Sequence, residues 1–473
     1  MTPDESMVKI AETKPNPRLR RWWSISVRGL MLLVLAVGGA IGWEVNRVSR
    51  MWKIVGSLER DRDASLEVPP VSDVEYHDRH MHNHGDGTVD VEFDDEYSGG
   101  VWLNPPRPAW LPDWLRRVVG KDHFRQVTML GFSRRPTPED WDAIQALGSV
   151  RELGFSGVES MTDEDVASLR DCSGLRVLDL AYTRITDKIL ATVGSLPNLR
   201  SLNIEGTQTS NDGLASLKDR LDLEELTLRD DLVADAGLVH LRNLKKLRSL
   251  RAGRVSDLGM EAIRGNTQLE TLSFSAWHFT DKGLAIVASF PNLKDLRINR
   301  GIPALVEMLS GRHGEWSMKL TEAGVRSLGR LTGLEKLDLS LVADDSWLVP
   351  VGQLGQLRSL RLMSDQISDD GLKPIGQLGQ LRSLFLRCDR ISDDGLIPVG
   401  RLANLEVLSI HGPKITDAAI KHLTGLTRLT DVGFLRTQVS GEGIAALRAA
   451  IPSLRRVRNL GKPARPIPTA PQP

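Results

Sequence analysis

The sequence predicts an α/β solenoid: a right-handed stack of short parallel strands with helices on the outer side, preceded by a single transmembrane helix. An apolar triplet spaced L-x-x-L-x-L recurs from Phe124 to Val457 at intervals of 22 to 26 residues, with one interval of 41. Such a period marks a stack of supersecondary units, none of which can bury its own apolar face alone. A single long apolar stretch, Trp22 to Trp43, precedes the repeats. The 473 residues are too many for one compact core and fit an extended array. Equal numbers of basic and acidic residues, 61 each, argue against nucleic acid as the main partner, because phosphate binding needs a concentrated basic face. Two cysteines exclude a disulfide scaffold and a cysteine-rich zinc site, and they predict free thiols.

Residues 1–21 form a basic tail with Lys9, Lys14, Arg18, Arg20 and Arg21. Residues 22–43, apolar apart from Arg28, span ~33 Å as a helix, enough to cross a bilayer core. Tryptophans close both ends, as interfacial belts do. The span reads as a retained anchor; a cleaved signal peptide with Gly38-x-Ala40 at the cut is the alternative. Basic flanks are nearly matched, so the short tail is placed in the cytoplasm and the repeats outside it. Gly38 and Gly42 offer a weak homodimer contact between two such helices. Residues 44–60 carry a helical stripe, Val45, Val48, Trp52 and Val55.

Residues 61–100 hold twelve acidic and two basic side chains and read as a linker. Its His77, His80, His82 and His84 have chelating spacing, but a structural site takes ligands from two segments and no second cluster appears. A solvated loop with no metal is the expectation. Residues 101–149 are read as a cap with a degenerate first copy, Phe124-Val127-Met129; Trp110, Leu111, Trp114, Leu115 and Val118 form its stripe.

The repeats proper occupy 150–460, with triplets such as Leu199-Leu202-Ile204, Leu357-Leu360-Leu362 and Leu381-Leu384-Leu386. Alternation in each triplet predicts a strand, about thirteen in all. A polar residue follows, among them Thr183, Thr207, Asp365, Asp389 and Thr437, able to bond open backbone groups. Then comes I-[TS]-D-x-G-L, as in Ile367-Ser368-Asp369, where Ser or Thr caps a helix and Asp complements its positive end. Leu190, Leu214, Leu238, Leu284, Leu372 and Leu396 then hold that helix against the strands. An insertion interrupts the period near 300–319, and residues 461–473 are a Pro-rich disordered tail.

These copies resemble leucine-rich repeat proteins over about residues 124–460. The I-T-D-x-G-L phrase is similar to repeats of F-box substrate receptors and, more closely, to membrane-anchored leucine-rich repeat proteins of some bacteria. The usual Asn ladder is mostly Thr or Asp here, and a membrane span stands where an F-box would precede the repeats. The resemblance implies a curved solenoid whose concave strand face binds another protein, without cofactor or turnover. Outward strand positions there include Arg229, Arg251, Arg297, Asn299, Arg361, Met363, Phe385, Arg387 and His411, with Arg251, Arg297 and Arg361 in one column. Arg beside Phe and Met is the composition of a protein-binding patch. The insertion offers Arg312, His313 and Trp316 as a second candidate. No metalloprotease, nucleophile-elbow, phosphate-loop or dinucleotide motif is present, so no enzyme activity is expected. A self-associating envelope component is the alternative function, and a ubiquitin-ligase substrate receptor a weaker one resting on repeat resemblance alone.

Overall fold

The x-Leu-x-Leu alternation becomes strand because successive side chains of an extended backbone point to opposite faces. The computed structural model describes residues 81–83, 89–91, 101–104, 126–132, 134–148, 150–228, 233–299, 320–340 and 344–460. The expected tail, membrane helix and juxtamembrane helix, most of the linker, the Trp110 stripe, the 300–319 insertion and the C-terminal tail lie outside them. Among the described residues no helix is long and apolar enough to cross a membrane.

Within the linker, β1 (Met81–Asn83) and β2 (Val89–Val91) pair antiparallel, with His82 opposite Asp90. The main sheet begins at β3 (Val101–Asn104), a segment read from sequence as part of the cap. It continues through β4 (Gln126–Gly131), β5 (Glu152–Gly154), β6 (Val177–Asp179), β7 (Ser201–Asn203), β8 (Glu225–Thr227), β9 (Ser249–Val255) and β10 (Thr271–Ala276). Then follow β11 (Asp295–Asn299), β12 (Lys336–Ser340), β13 (Ser359–Met363), β14 (Ser383–Arg387), β15 (Val407–His411), β16 (Asp431–Leu435) and β17 (Arg456–Leu460). Every strand lies beside its sequence neighbour, and β4 to β17 pair parallel throughout. That is a solenoid of fourteen parallel strands, against about thirteen expected. The degenerate last copy forms a full strand, paired with β16 through five residues.

One register expectation is corrected. In the first copy Leu130 aligns with Leu153. The triplet is therefore Val127-Leu130-Phe132, three residues later than Phe124-Val127-Met129. Burial explains the choice: Leu130 and Phe132 are buried, and the Phe132 ring stacks 5.2 Å from Phe155. Seating Met129 inward would have turned both of those side chains away from the core.

Leucines 153, 178, 202, 226, 250, 272, 296, 337, 360, 384 and 408 form one buried row across the sheet. Fully burying one such side chain stabilises by about 1.5–3 kcal/mol. Opposite the sheet, the helical layer presses Leu190, Leu214, Leu238, Leu284, Leu372 and Leu396 into the same core, all at most 1% exposed. Many of its segments are 3₁₀ turns, such as Gly213–Leu217, Lys373–Gln377 and Asp393–Leu396. The tighter helix rises further per residue, so a short repeat can still return to its next strand.

The aspartate of the I-[TS]-D phrase does more than face its own helix. Its carboxylate reaches forward and accepts hydrogen bonds from the backbone N–H and the hydroxyl of the next repeat's Ser or Thr. Asp345 holds Ser368 at 2.8 and 2.6 Å, Asp369 holds Ser392 at 2.7 and 2.6 Å, and Asp393 holds Thr416 at 2.7 and 2.6 Å. Asp163, Asp187, Asp235, Asp257, Asp281 and Asp417 bind Thr186, Ser210, Ser256, Thr280, Thr321 and Ser440 in the same way. Asn211 supplies a variant rung, accepting from Ala234 N and Gly237 N. The glycine of the phrase belongs to this contact. Gly283 N donates to Asp257 at 2.9 Å, and a Cβ at Gly283 would stand 2.5 Å from that oxygen. Among the described residues the ladder is interrupted at Glu322, which pairs with Arg326 instead, while Asp344 accepts from its own repeat's Ser346.

Other expected polar contacts divide. Thr183 and Thr207 donate to the Leu180 and Ile204 carbonyls at 2.6 and 2.8 Å, as expected of the turn residues. The Thr437 hydroxyl is buried with no partner.

Replacing Leu384 by Asp buries an unpaired charge and is expected to lower stability by several kcal/mol, whereas Ser383→Asp, one residue away on the open face, should change it by under about 1 kcal/mol. Equal losses in melting temperature would refute the register. Replacing Asp369 by Ala orphans two donors and should cost about 1–3 kcal/mol in chemical denaturation, with Asp369→Asn costing less because Asn211 already serves as a rung.

Candidate binding face of the sheet

Strand register builds the open face column by column. Asn203, Thr227, Arg251, Ser273, Arg297, Asp338, Arg361, Phe385 and Ser409 run across it in one line. Arg251, Arg297 and Arg361 share that column as the sequence implied, but Ser273 and Asp338 alternate with them. Met363, Arg387 and His411 are neighbours in the adjacent column, which also contains Asn299. Arg229, Arg312, His313 and Trp316 lie outside the described residues.

Two of the three aligned arginines are partly neutralised by acids, Asp295 and Asp338. Arg297 makes a two-pronged contact with Asp295 on its own strand, at 3.2 and 3.0 Å. Arg361 lies 3.4 Å from the Asp338 carboxylate and 4.4 Å from the centre of the Phe385 ring. Half-exposed ion pairs of this kind contribute about 0–1 kcal/mol, and the stacked arrangement adds a similar amount. Their main effect is to hold the guanidinium flat against the aromatic ring. A second such pair, Arg254 over Trp277 at 4.7 Å, was missed from sequence. A bulge in β9 places Arg254 rather than Gly253 beside Ser275, so simple counting puts it in the wrong column.

His411 packs at the edge of this patch, its side chain only 14% exposed and 3.8 Å from the Asp389 carboxylate. Burial and the charges of Arg387 and Arg436 depress its pKa, against the opposing pull of Asp389. At neutral pH it is uncharged, and its Nδ1 has no hydrogen-bond partner. Toward the other end, the described outward residues of β5 to β8 include Glu152, Asp179 and Glu225. Burial pushes Asp179 up to about 6, the Ala181 N–H opposing and Glu205 adding to the rise. Glu152 is also raised, by burial and by Glu225.

The two cysteines are free, as expected. Burial pushes the Cys388 thiol up to about 12 and raises that of Cys172, so neither is an activated nucleophile. Among the described residues no cluster of His, Cys, Asp or Glu is arranged to hold a metal ion.

Solved structures of similar architecture include an internalin (InlF) from Listeria monocytogenes, at 20% identity and a TM-score of 0.46. The match covers 70% of this chain and 86% of that one. A leucine-rich repeat protein of Leptospira interrogans matches at 16% identity and a TM-score of 0.35, over 69% and 88% of the two chains. Neither a protein-family model nor a curated relative matches the chain. The in-phase leucine rows and the consecutive parallel strands decide the architecture by themselves. The fold is a leucine-rich repeat solenoid. Within leucine-rich repeats, backbone positions are set by the buried row, so the outward columns are free to vary and to carry function.

Asp179 gives a pH prediction. A carboxyl whose folded pKa is raised favours folding below its usual value of 3.8, and loses that contribution as pH rises through about 6. Asp179→Asn, which keeps an acceptor for the Ala181 N–H, should therefore stabilise the protein at pH 7.5, by an amount on the order of 1–3 kcal/mol. The advantage should vanish near pH 4. A variant less stable than the parent at pH 7.5 would contradict the assignment.

Proposed function

We propose that this chain is a membrane-anchored leucine-rich repeat protein that binds another protein through the open face of its sheet, with the repeats outside the cytoplasm. The observation that carries the reading is the patch in which exposed Arg361 lies on half-buried Phe385, beside Met363, Arg387 and His411. Arg and aromatic side chains held rigid on a regular framework contribute most to protein–protein affinity, because little side-chain entropy is lost on binding. The anchor is supported by the apolar Trp22–Trp43 stretch, and by the I-[TS]-D-x-G-L phrase that resembles repeats of membrane-anchored bacterial proteins.

Capture by the full chain, compared across variants, tests the binding reading. Replacing Arg361 and Phe385 together by Ala should reduce the captured protein at least tenfold, while Val349→Ala, exposed on the helical side, should leave it unchanged. Equal capture by both variants would move function off this face, and capture of the chain by itself alone would favour a self-associating envelope component. The anchor has its own measurement. A chain beginning at Glu44 should leave the membrane fraction, whereas the full chain should require detergent; a shortened chain that stays with membranes at high salt rules out residues 22–43 as the sole anchor.

A further inference from the structure

The outward column that carries Arg361 and Phe385 drops to small residues over the next two strands. After Phe385 come Ser409 on β15 and Gly433 on β16, and then Arg458 on β17. Two small residues between two large ones leave a notch in the face. At ~4.8 Å per strand its walls, Phe385 and Arg458, stand about 14 Å apart. One column over, Arg387, His411 and Leu435 border the same strands, and Arg436 continues that border from the turn after β16.

Among the described residues, the carboxylates on β14 to β17 and the turns that follow them are Asp389 and Asp431. Asp431 lies 3.9 Å from Arg456, and Asp389 lies 3.8 Å from His411 Nδ1. Neither makes an ion pair with Arg387, Arg436 or Arg458. Bases just before the strands are paired, by contrast, Arg200 with Glu224 and Arg382 with Glu406. The backbone singles out Arg436 as well. Its φ of 49° is left-handed, at the turn position that Gly206 fills after β7 with a φ of 67°. Glycine adopts that conformation freely, whereas a side chain makes it strained. Tyr182, with a φ of 56° at the same position after β6, is held there by its hydroxyl bond to Glu205. Arg436 has no such bond among the described residues.

We propose that the notch takes an extended segment of the partner protein that carries an aromatic side chain and, two residues away, a carboxylate. The proposal rests on the reading of the open face as the binding surface and adds the chemistry of its occupant. The aromatic ring lies over Ser409 and Gly433 against Phe385, and the carboxylate faces the guanidinium groups at the rim. Residues i and i+2 of an extended chain point the same way, ~6.6 Å apart, so both fit between walls about 14 Å apart. Ring against ring, and carboxylate against guanidinium, are each favourable beyond the area they bury. His411 is linked to the same event. Burial, Arg387 and Arg436 keep its imidazole uncharged at neutral pH, while Asp389 faces its Nδ1. A bound carboxylate offsets the two guanidinium charges, so the ring gains a proton more readily and donates it toward Asp389.

Three peptides of about 12 residues test it, alike except for a central Phe-Thr-Glu, Phe-Thr-Gln or Ala-Thr-Glu in a Ser/Thr/Gly background. Fluorescence anisotropy with the full chain at pH 7.5 should show the Phe-Thr-Glu peptide binding about fivefold or more tightly than either of the others. Gly433→Val fills the floor and should abolish binding. Its Cβ would meet the Ser409 hydroxyl at 3.3 Å, a contact that the hydroxyl relieves by turning, and circular dichroism melts check that the variant folds. Arg387→Gln with Arg458→Gln should make the Glu and Gln peptides equal. Arg436→Gly should leave the melting temperature unchanged or higher and still weaken the preference for Glu; a role in the turn alone would not move that preference. Between pH 7.5 and 5.5 the preference should grow about threefold, and His411→Asn should make it flat. Equal affinity for the Glu and Gln peptides overturns the proposal, as does undiminished binding by a folded Gly433→Val. If that variant does not fold, a preference left unchanged by Arg387→Gln with Arg458→Gln overturns it instead. Peptides that fail to discriminate, alongside capture that still falls on Arg361→Ala with Phe385→Ala, would remove the notch and leave the binding face. If that capture is unaffected too, both readings fall.

Discussion

The forward reach of one aspartate per repeat organises this protein. A leucine row alone drives strands to stack but leaves the helical side free to slide, because apolar contact is non-directional. The carboxylate that joins Asp369 to Ser392, or Asp393 to Thr416, is directional. It fixes the start of each helical segment relative to the one before it and satisfies donors that a helix start leaves open. It also accounts for the wording of the repeat. Ser or Thr supplies the second donor, Gly leaves room for the oxygen, and the following Leu enters the core.

The open face inherits its order from that regularity. Since each strand is held in register with the next, a column of side chains is a line in space rather than a statistical tendency. Arg361 can rest on Phe385 because the two are register partners on β13 and β14. The alternation of Asp338 with arginines likewise sets where the face is neutral and where charge is left over. A one-residue slip would bury these groups and expose the leucines.

Much of the architecture was legible in the sequence. Leucine spacing gave the strands, their inward and outward faces and the alignment of Arg251, Arg297 and Arg361, since period two and a constant repeat length leave little freedom. The first copy was misread by three residues because Val127-x-Met129 and Leu130-x-Phe132 fit the triplet spacing equally well. Only the aromatic contacts of Phe132 and Phe155 choose between them. The aspartates were assigned to their own helices because a local electrostatic role is visible within one repeat, whereas a bond to a residue 23 positions on is not. On the candidate face the cations were legible, but their pairing with Asp295 and Asp338 was not. Asp295 and Asp338 look like ordinary strand polars until neighbouring strands are placed beside them. Arg254 was missed because a bulge breaks the count.

The interruption of the ladder between Glu322 and Asp344 has a consequence for how the array unfolds. A stack in which each unit touches only its neighbours behaves as a line of coupled switches, and cooperativity breaks where the coupling is weakest. Here the strands remain paired across β11 and β12, yet the polar link on the helical side is missing, and the adjoining segment from 301 to 319 is the long insertion. This joint, between the helical segments that follow β11 and β12, is where the array is expected to open first. A partner lying across both sides of it would bridge the weakest joint of the array, so that binding and global stability become a single linked equilibrium.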